Sequence, residues 1–205
     1  MYRRGPALID PRYWKFGRAC WRLPLSAMLL VLPLTVAGLS GQTLPKTEEE
    51  TLSGEKVNLQ TALSGKVGIL VLGFSQKSKE QSKVWGKDVL AEFRGDNSIV
   101  IFQMAVLEAV PRLVRGMVLH GMKKDVPADV QPHFLPILHN EQQWKELTQF
   151  SAADDAYILV VDREQKVVWR DHGPLDPTRK VALVEKIRQL SKTGPHGKIA
   201  APQKP

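Results

Sequence analysis

Ser75-Gln76-Lys77-Ser78 is the stretch of this 205-residue chain best placed for chemistry. It follows Val67 to Leu72, an apolar and mostly branched run suited to a strand buried on both faces, and it precedes a helical pattern beginning near Ser78. A helix N-terminus stabilises negative charge, so a cysteine in such a turn would be held as a reactive thiolate. The turn has none. The one cysteine of the chain is Cys20, far upstream. Thiol-disulfide exchange requires an attacking thiolate, and a single cysteine forms no internal disulfide, so composition excludes a dithiol mechanism.

The remaining chemistry-bearing residues form no recognisable machinery. Ser75 and Ser78 would need a neighbouring general base to act as nucleophiles. The histidines, His120, His133, His139, His172 and His196, stand in no motif, and no Gly-x-Ser-x-Gly elbow is present. Turn and helix-cap roles therefore suit both serines. His133 and His139 lack metal-binding partners at helical or loop spacing. Gly65, Gly68 and Gly73 make no phosphate loop, because the Gly-Lys-Ser/Thr ending is missing. Asp154, Asp155 and Asp162 read as solvated turn carboxylates flanking a strand. At Asp171-His172-Gly173 an ionisable group stands beside a turn glycine. No catalytic residue, cofactor site or metal site is assigned.

The net charge of +8 and pI of 9.6 invite a nucleic-acid reading, which the distribution of charge removes. Residues 1–42 hold six Lys/Arg and one Asp, and residues 191–205 hold three Lys, leaving 20 basic and 20 acidic residues between them. No cationic stripe interleaved with aromatics occurs in that neutral body. Residues 1–42 pair a basic N-terminal segment with an uncharged apolar run, Leu23 to Leu39, ending in small residues. This is the pattern of a signal peptide or, as second choice, a membrane anchor; Pro24 and Pro33 and a length below ~20 residues count against a spanning helix. The expected location is exported, periplasmic or anchored facing the periplasm, or the mitochondrial inner membrane in a eukaryotic source.

The elements that would position the turn follow from periodicity. Residues 43–56 read as a polar linker, 57–190 as one domain and 191–205 as a disordered tail. Helices are predicted over Ser78 to Phe93, with Trp85, Val89 and Phe93 inward, and from Pro111 to Met122, a basic amphipathic segment that covers the sheet or docks on a membrane or partner. The first of those two roles is favoured. Val126 to Pro136 reads as an irregular excursion. Asn140 is expected to cap a helix through Phe150, and Asp176-Pro177 to open a last helix with Leu183, Ile187 and Leu190 inward. Strands are predicted at Ser98 to Val106, Ala156 to Val161 and Lys166 to Arg170, the last two joined as a hairpin.

That order resembles the thioredoxin fold: α/β, a mixed sheet flanked by helices, with an insertion between the second and third main strands. Active members of that fold carry Cys-x-x-Cys in the turn and a cis-proline before the third main strand. Here the approach is Ala153-Asp154-Asp155-Ala156, without proline, so the resemblance implies a redox-inactive domain. From Gly73 to Leu190 the chain also resembles a mitochondrial ATP synthase Fo assembly-factor family with a cysteine-free thioredoxin-like fold. Phe74 to Ser78, the basic segment ending in Lys-Asp-Val-Pro, Phe134, and Tyr157 to Asp162 followed by Val168-Trp169-Arg170 and Gly173 carry the likeness. It implies a non-enzymatic assembly factor or chaperone-like interaction protein at a membrane, with subunit a of the Fo sector as partner. By position, the partner-binding candidates are Phe74, Ser75, Gln76, Lys77, Ser78, Arg112, Leu113, Arg115, Met117 and Lys123. The alternative is a peroxiredoxin- or thioredoxin-like oxidoreductase, or an exported small-ligand-binding domain.

Overall fold

The computed structural model describes residues 42–192, so the signal or anchor reading and nearly all of the expected tail lie outside the described residues. In chain order the elements are β1 (Glu48–Glu50), β2 (Lys56–Asn58), α1 (Leu59–Ala62), β3 (Val67–Gly73), α2 (Lys79–Glu92), β4 (Ile99–Val106), α3 (Arg112–Asp125), β5 (Phe134–Ile137), α4 (Glu141–Thr148), β6 (Ala156–Val161), β7 (Val167–His172) and α5 (Pro177–Lys192). Five strands form one sheet in the order β5-β4-β3-β6-β7, with β3, β4 and β5 parallel and β6 and β7 antiparallel to their neighbours. α3, β5 and α4 lie between the second and third main strands, β4 and β6.

Period-2 alternation divides β3 between two cores. Leu70 and Leu72 join Phe102, Met104, Leu159, Trp144 of α4 and Leu59 and Leu63 on one face of the sheet. Val67, Ile69 and Val71 join Ile101, Ile158, Val160, Trp85 and Val89 of α2, and Leu183 and Ile187 of α5 on the other. Each of these buried side chains contributes about 1.5–3 kcal/mol of apolar transfer, which is why a strand of so few polar atoms lies at the centre of the sheet. Trp85, fully buried, also donates Nε1–H to the carbonyl of Gly173 at 2.9 Å, tying α2 to the end of β7. Gly173 has φ +104°, a backbone conformation that glycine adopts without strain, in keeping with its reading as a turn residue.

Four expectations change. Residues 43–56 belong to the domain rather than to a linker: Leu44, Thr47, Thr51 and Leu52 are buried, β1 pairs with β2, and Leu52 N–H bonds to the Phe134 carbonyl. The excursion Val126 to Pro136 contains a strand, and Phe134 lies in it rather than in a loop. Pro136 concealed β5 from pattern reading, but β5 is the last strand of the sheet, where a missing N–H is tolerated. Asn140, at φ +64°, makes no side-chain cap; its Nδ2 donates to the Lys46 carbonyl. Glu108 takes its place, accepting from Glu141 N–H at 2.6 Å while the Glu141 carboxylate accepts from Ala109 N–H at 3.1 Å. This reciprocal pair places negative charge at the N-terminus of α4.

The fourth change concerns α3, which buries no residue and so does not cover the sheet as expected. Val118, Leu119 and Met122 are half-buried beneath it. Polar contacts hold its C-terminal end: Gln131 Nε2 donates to the carbonyls of Lys123 and Val126. Asp125 receives Lys79 Nζ at 2.7 Å, and this bond and the adjacent positive charge hold its carboxyl below the usual carboxylate range.

Candidate functional site

The β3-α2 turn and the loop entering β6 meet at one end of the sheet, and side chains from both close the gap. Ser75 Oγ accepts from Lys77 N–H and Ser78 N–H, each at 3.1 Å, and lies 3.3 Å from Asp154 Oδ1. Ser78, fully buried, donates its hydroxyl to the Ser75 carbonyl at 2.8 Å. The two serines thus organise the turn and the start of α2. Lys77 Nζ reaches Asp154 Oδ2 at 3.3 Å, so Asp154, a solvent-exposed turn carboxylate as expected, also bridges the two loops. Gly73 leaves room for this arrangement: a Cβ there would lie 2.7 Å from Ser78 Oγ and 2.9 Å from Ser82 Oγ.

Aromatic side chains line the flank of the turn. Phe74 meets Phe150 and Tyr157 edge-on at 5.0 and 5.5 Å, and Tyr157 stacks on Phe150 and on His172. Tyr157 Oη accepts from Ser151 N–H and Ala152 N–H, both at 2.8 Å, and donates to the Ala152 carbonyl. Gln81 Oε1 accepts from Ala156 N–H at 3.1 Å, fixing the same loop to α2. His172 Nδ1 pairs with Asp155 Oδ2 at 2.8 Å, and Arg179 holds the His172 carbonyl. Tyr157→Phe is expected to lose about 1–3 kcal/mol, because two loop N–H groups lose their acceptor, and to speed hydrogen exchange at Ser151 and Ala152. Exchange unchanged at both amides would remove Tyr157 as the anchor of the loop.

The Ser75 hydroxyl and the His172 imidazole rest on separate carboxylates, Asp154 and Asp155, so no Ser-His-Asp relay is assembled. No thiol is present between residues 42 and 192. Among the described residues, no group of three or more His, Cys, Asp or Glu could hold a metal ion. Of the sequence-predicted partner residues, Phe74, Ser75, Gln76, Lys77 and Ser78 lie together here. Arg112, Leu113, Arg115, Met117 and Lys123 lie on α3, which is joined to the start of α2 by the Lys79–Asp125 pair. Arg115 is engaged locally, donating to the carbonyls of Val110 and Glu108. Sequence reasoning missed the roles of Asp154, Phe150, Tyr157 and Gln81. The absent cis-proline was the one signal directing attention to residues 153–156.

The fold is thioredoxin-like. A thiol-disulfide isomerase from Corynebacterium glutamicum is similar at TM-score 0.56 and 12% identity, over 75% of this chain and 99% of that one. The exposed lipoprotein thioredoxin Etrx1 of Streptococcus pneumoniae is similar at TM-score 0.52 and 16% identity, over 71% and 100%. A putative thiol:disulfide interchange protein DsbE from Chlorobium tepidum is similar at TM-score 0.50 and 19% identity, over 73% and 96%. Neither a protein-family model nor a curated protein matches the chain. The expectation of an ATP synthase assembly factor or chaperone-like protein at a membrane is thereby corrected: these structural likenesses are to thiol-disulfide proteins and support the oxidoreductase alternative. At these identities they establish the architecture alone.

Proposed function

We propose that this chain is an exported thioredoxin-like protein of the oxidoreductase type whose domain keeps the substrate-binding face and lacks the exchanging thiols. The observation that carries this reading is the pairing of Ser75 and Lys77 with Asp154 across the turn, beside the aromatic wall of Phe74, Phe150 and Tyr157. A ligand entering there meets the half-buried Phe74 and Phe150, the half-exposed Ser75, the exposed Lys77 and the backbone of residues 153–156, a surface suited to an extended polypeptide segment. Binding proceeds without turnover, because the domain supplies no thiolate to open a disulfide. The leader delivers the chain to an oxidising compartment, where unfolded and disulfide-bearing polypeptides occur. Among the described residues no helix is long and apolar enough to cross a membrane.

Amide NMR of the full chain titrated with reduced, carboxymethylated α-lactalbumin, an extended polypeptide that cannot form disulfides, tests the reading. Shifts confined to residues 74–78 and 152–157 are expected, and Asp154→Ala should change the affinity severalfold by freeing Ser75 and Lys77. Shifts elsewhere, or none, would sink it.

A further inference from the structure

The outward ridge of α3 has no function in the turn face. Leu113 is 99% exposed and Met117 77% exposed, and Val114 beside them is also open to solvent. Leu113, Met117, His120 and Lys124 recur at helical spacing, so they share one line along the outside of the helix. Arg112, Lys123 and Lys124 are exposed and form no ion pair among the described residues. The acidic group of this helix, Asp125, is already taken by Lys79. The sequence between residues 43 and 190 is balanced in charge, so a helix with this excess of cations is a local departure from a neutral body.

We infer that α3 is a docking surface for an anionic lipid headgroup layer. The apolar pair Leu113 and Met117 enters the interfacial zone while Arg112, Lys123 and Lys124 meet the lipid phosphates. Charge complementarity selects this occupant: exposed cations flank the exposed apolar pair Leu113 and Met117, the arrangement of a helix lying in an interface. Each cation at an anionic surface strengthens partitioning about fivefold, so Arg112, Lys123 and Lys124 together account for roughly a hundredfold. This inference is independent of the turn-face reading, since the two surfaces use different residues.

The test places a spin label at position 117 (Met117→Cys) in the full chain carrying Cys20→Ser, with a second label at the exposed α5 position Val181→Cys as control. Vesicles of phosphatidylcholine alone are compared with vesicles containing about one third phosphatidylglycerol. The label at 117 is expected to become shielded from a water-soluble relaxation agent on the anionic vesicles only, and position 181 to remain accessible on both. Adding Arg112→Gln, Lys123→Gln and Lys124→Gln should abolish the shielding even if the leader keeps the chain on the vesicle. Continued water access at 117 on anionic vesicles, equal shielding on neutral ones, or shielding before vesicles are added, which would mark a protein contact, each overturns the inference.

Discussion

Ser75→Cys/Ser78→Cys, made with Cys20→Ser, is expected to convert the domain into a working dithiol. Positions 75 and 78 stand three residues apart in the turn that opens α2, the spacing of a Cys-x-x-Cys pair. Position 75 is half-exposed and position 78 is buried, which assigns attack to the first and resolution to the second. A thiolate at 75 would be stabilised by the N–H groups of Lys77 and Ser78 that Ser75 Oγ now accepts, and by the Lys77 ammonium. It opens a substrate disulfide and forms a mixed disulfide, releasing one substrate thiolate. The second thiolate then attacks that mixed disulfide, releasing the other substrate thiolate and leaving the 75–78 bridge for dithiothreitol to reduce.

If the thiol pKa falls from about 8.5 to about 7, the thiolate fraction at neutral pH rises roughly fifteenfold. Nucleophilicity drops with basicity, leaving a net rate gain of about three- to fourfold over an ordinary thiol. Asp154, 3.3 Å from the Ser75 hydroxyl, opposes this with its negative charge, so adding Asp154→Ala should accelerate the reaction further. Insulin reduction read by turbidity, and the mass of the oxidised protein, check the outcome. Absence of the intramolecular bridge would mean that the turn is not an exchange scaffold.

The second large effect lies at Trp85. Trp85→Ala should lose about 3–5 kcal/mol through the cavity alone, with a further cost for a Gly173 carbonyl left without its donor. Against a total stability of about 5–15 kcal/mol for a domain this size, much of the folded population is at risk. Trp85→Phe keeps most of the apolar contact and removes the hydrogen bond, so about 1–3 kcal/mol is expected. Urea denaturation followed by circular dichroism separates the two variants. A Phe variant within 0.5 kcal/mol of the natural protein, by about the scatter of neutral surface changes, would show that the indole bond contributes nothing. The loss should reach the site as well: Gly173 N–H bonds to the Ala156 carbonyl, and its neighbour His172 stacks on Tyr157, so amide exchange at Gly173 should quicken before global unfolding.

Elements with strong periodicity were legible. The helix predicted over Ser78 to Phe93 is observed as Lys79–Glu92, and the runs at Val67, Ser98 and Ala156 are the central strands, because burial on both faces leaves unbroken apolar sequence. Asp176 does cap α5, accepting from Arg179 N–H at 3.0 Å. What escaped was set by partners distant in sequence. Glu108 caps a helix that begins 33 residues later, and no local motif announces it. β1 reads as a run of glutamates, and its pairing with β2 is what makes it a strand. At the site, the turn was identifiable from its position between strand and helix. Asp154 was not, since its role depends on two side chains more than 70 residues upstream.

The placement of β3 between β4 and β6 has a consequence for how the chain is made. β4 follows soon after β3, but the register joins Gly68 to Val161 and Gly73 to Ala156, so the other side of the central strand waits for most of the domain to be synthesised. Closing so long a loop is slow, and until it closes the Val67–Gly73 segment presents unpaired amides and apolar side chains to any neighbouring chain. A nascent polypeptide ending short of Ala156 cannot complete its own sheet. It remains threadable through a narrow pore, and vulnerable to aggregation for as long as it stays that way.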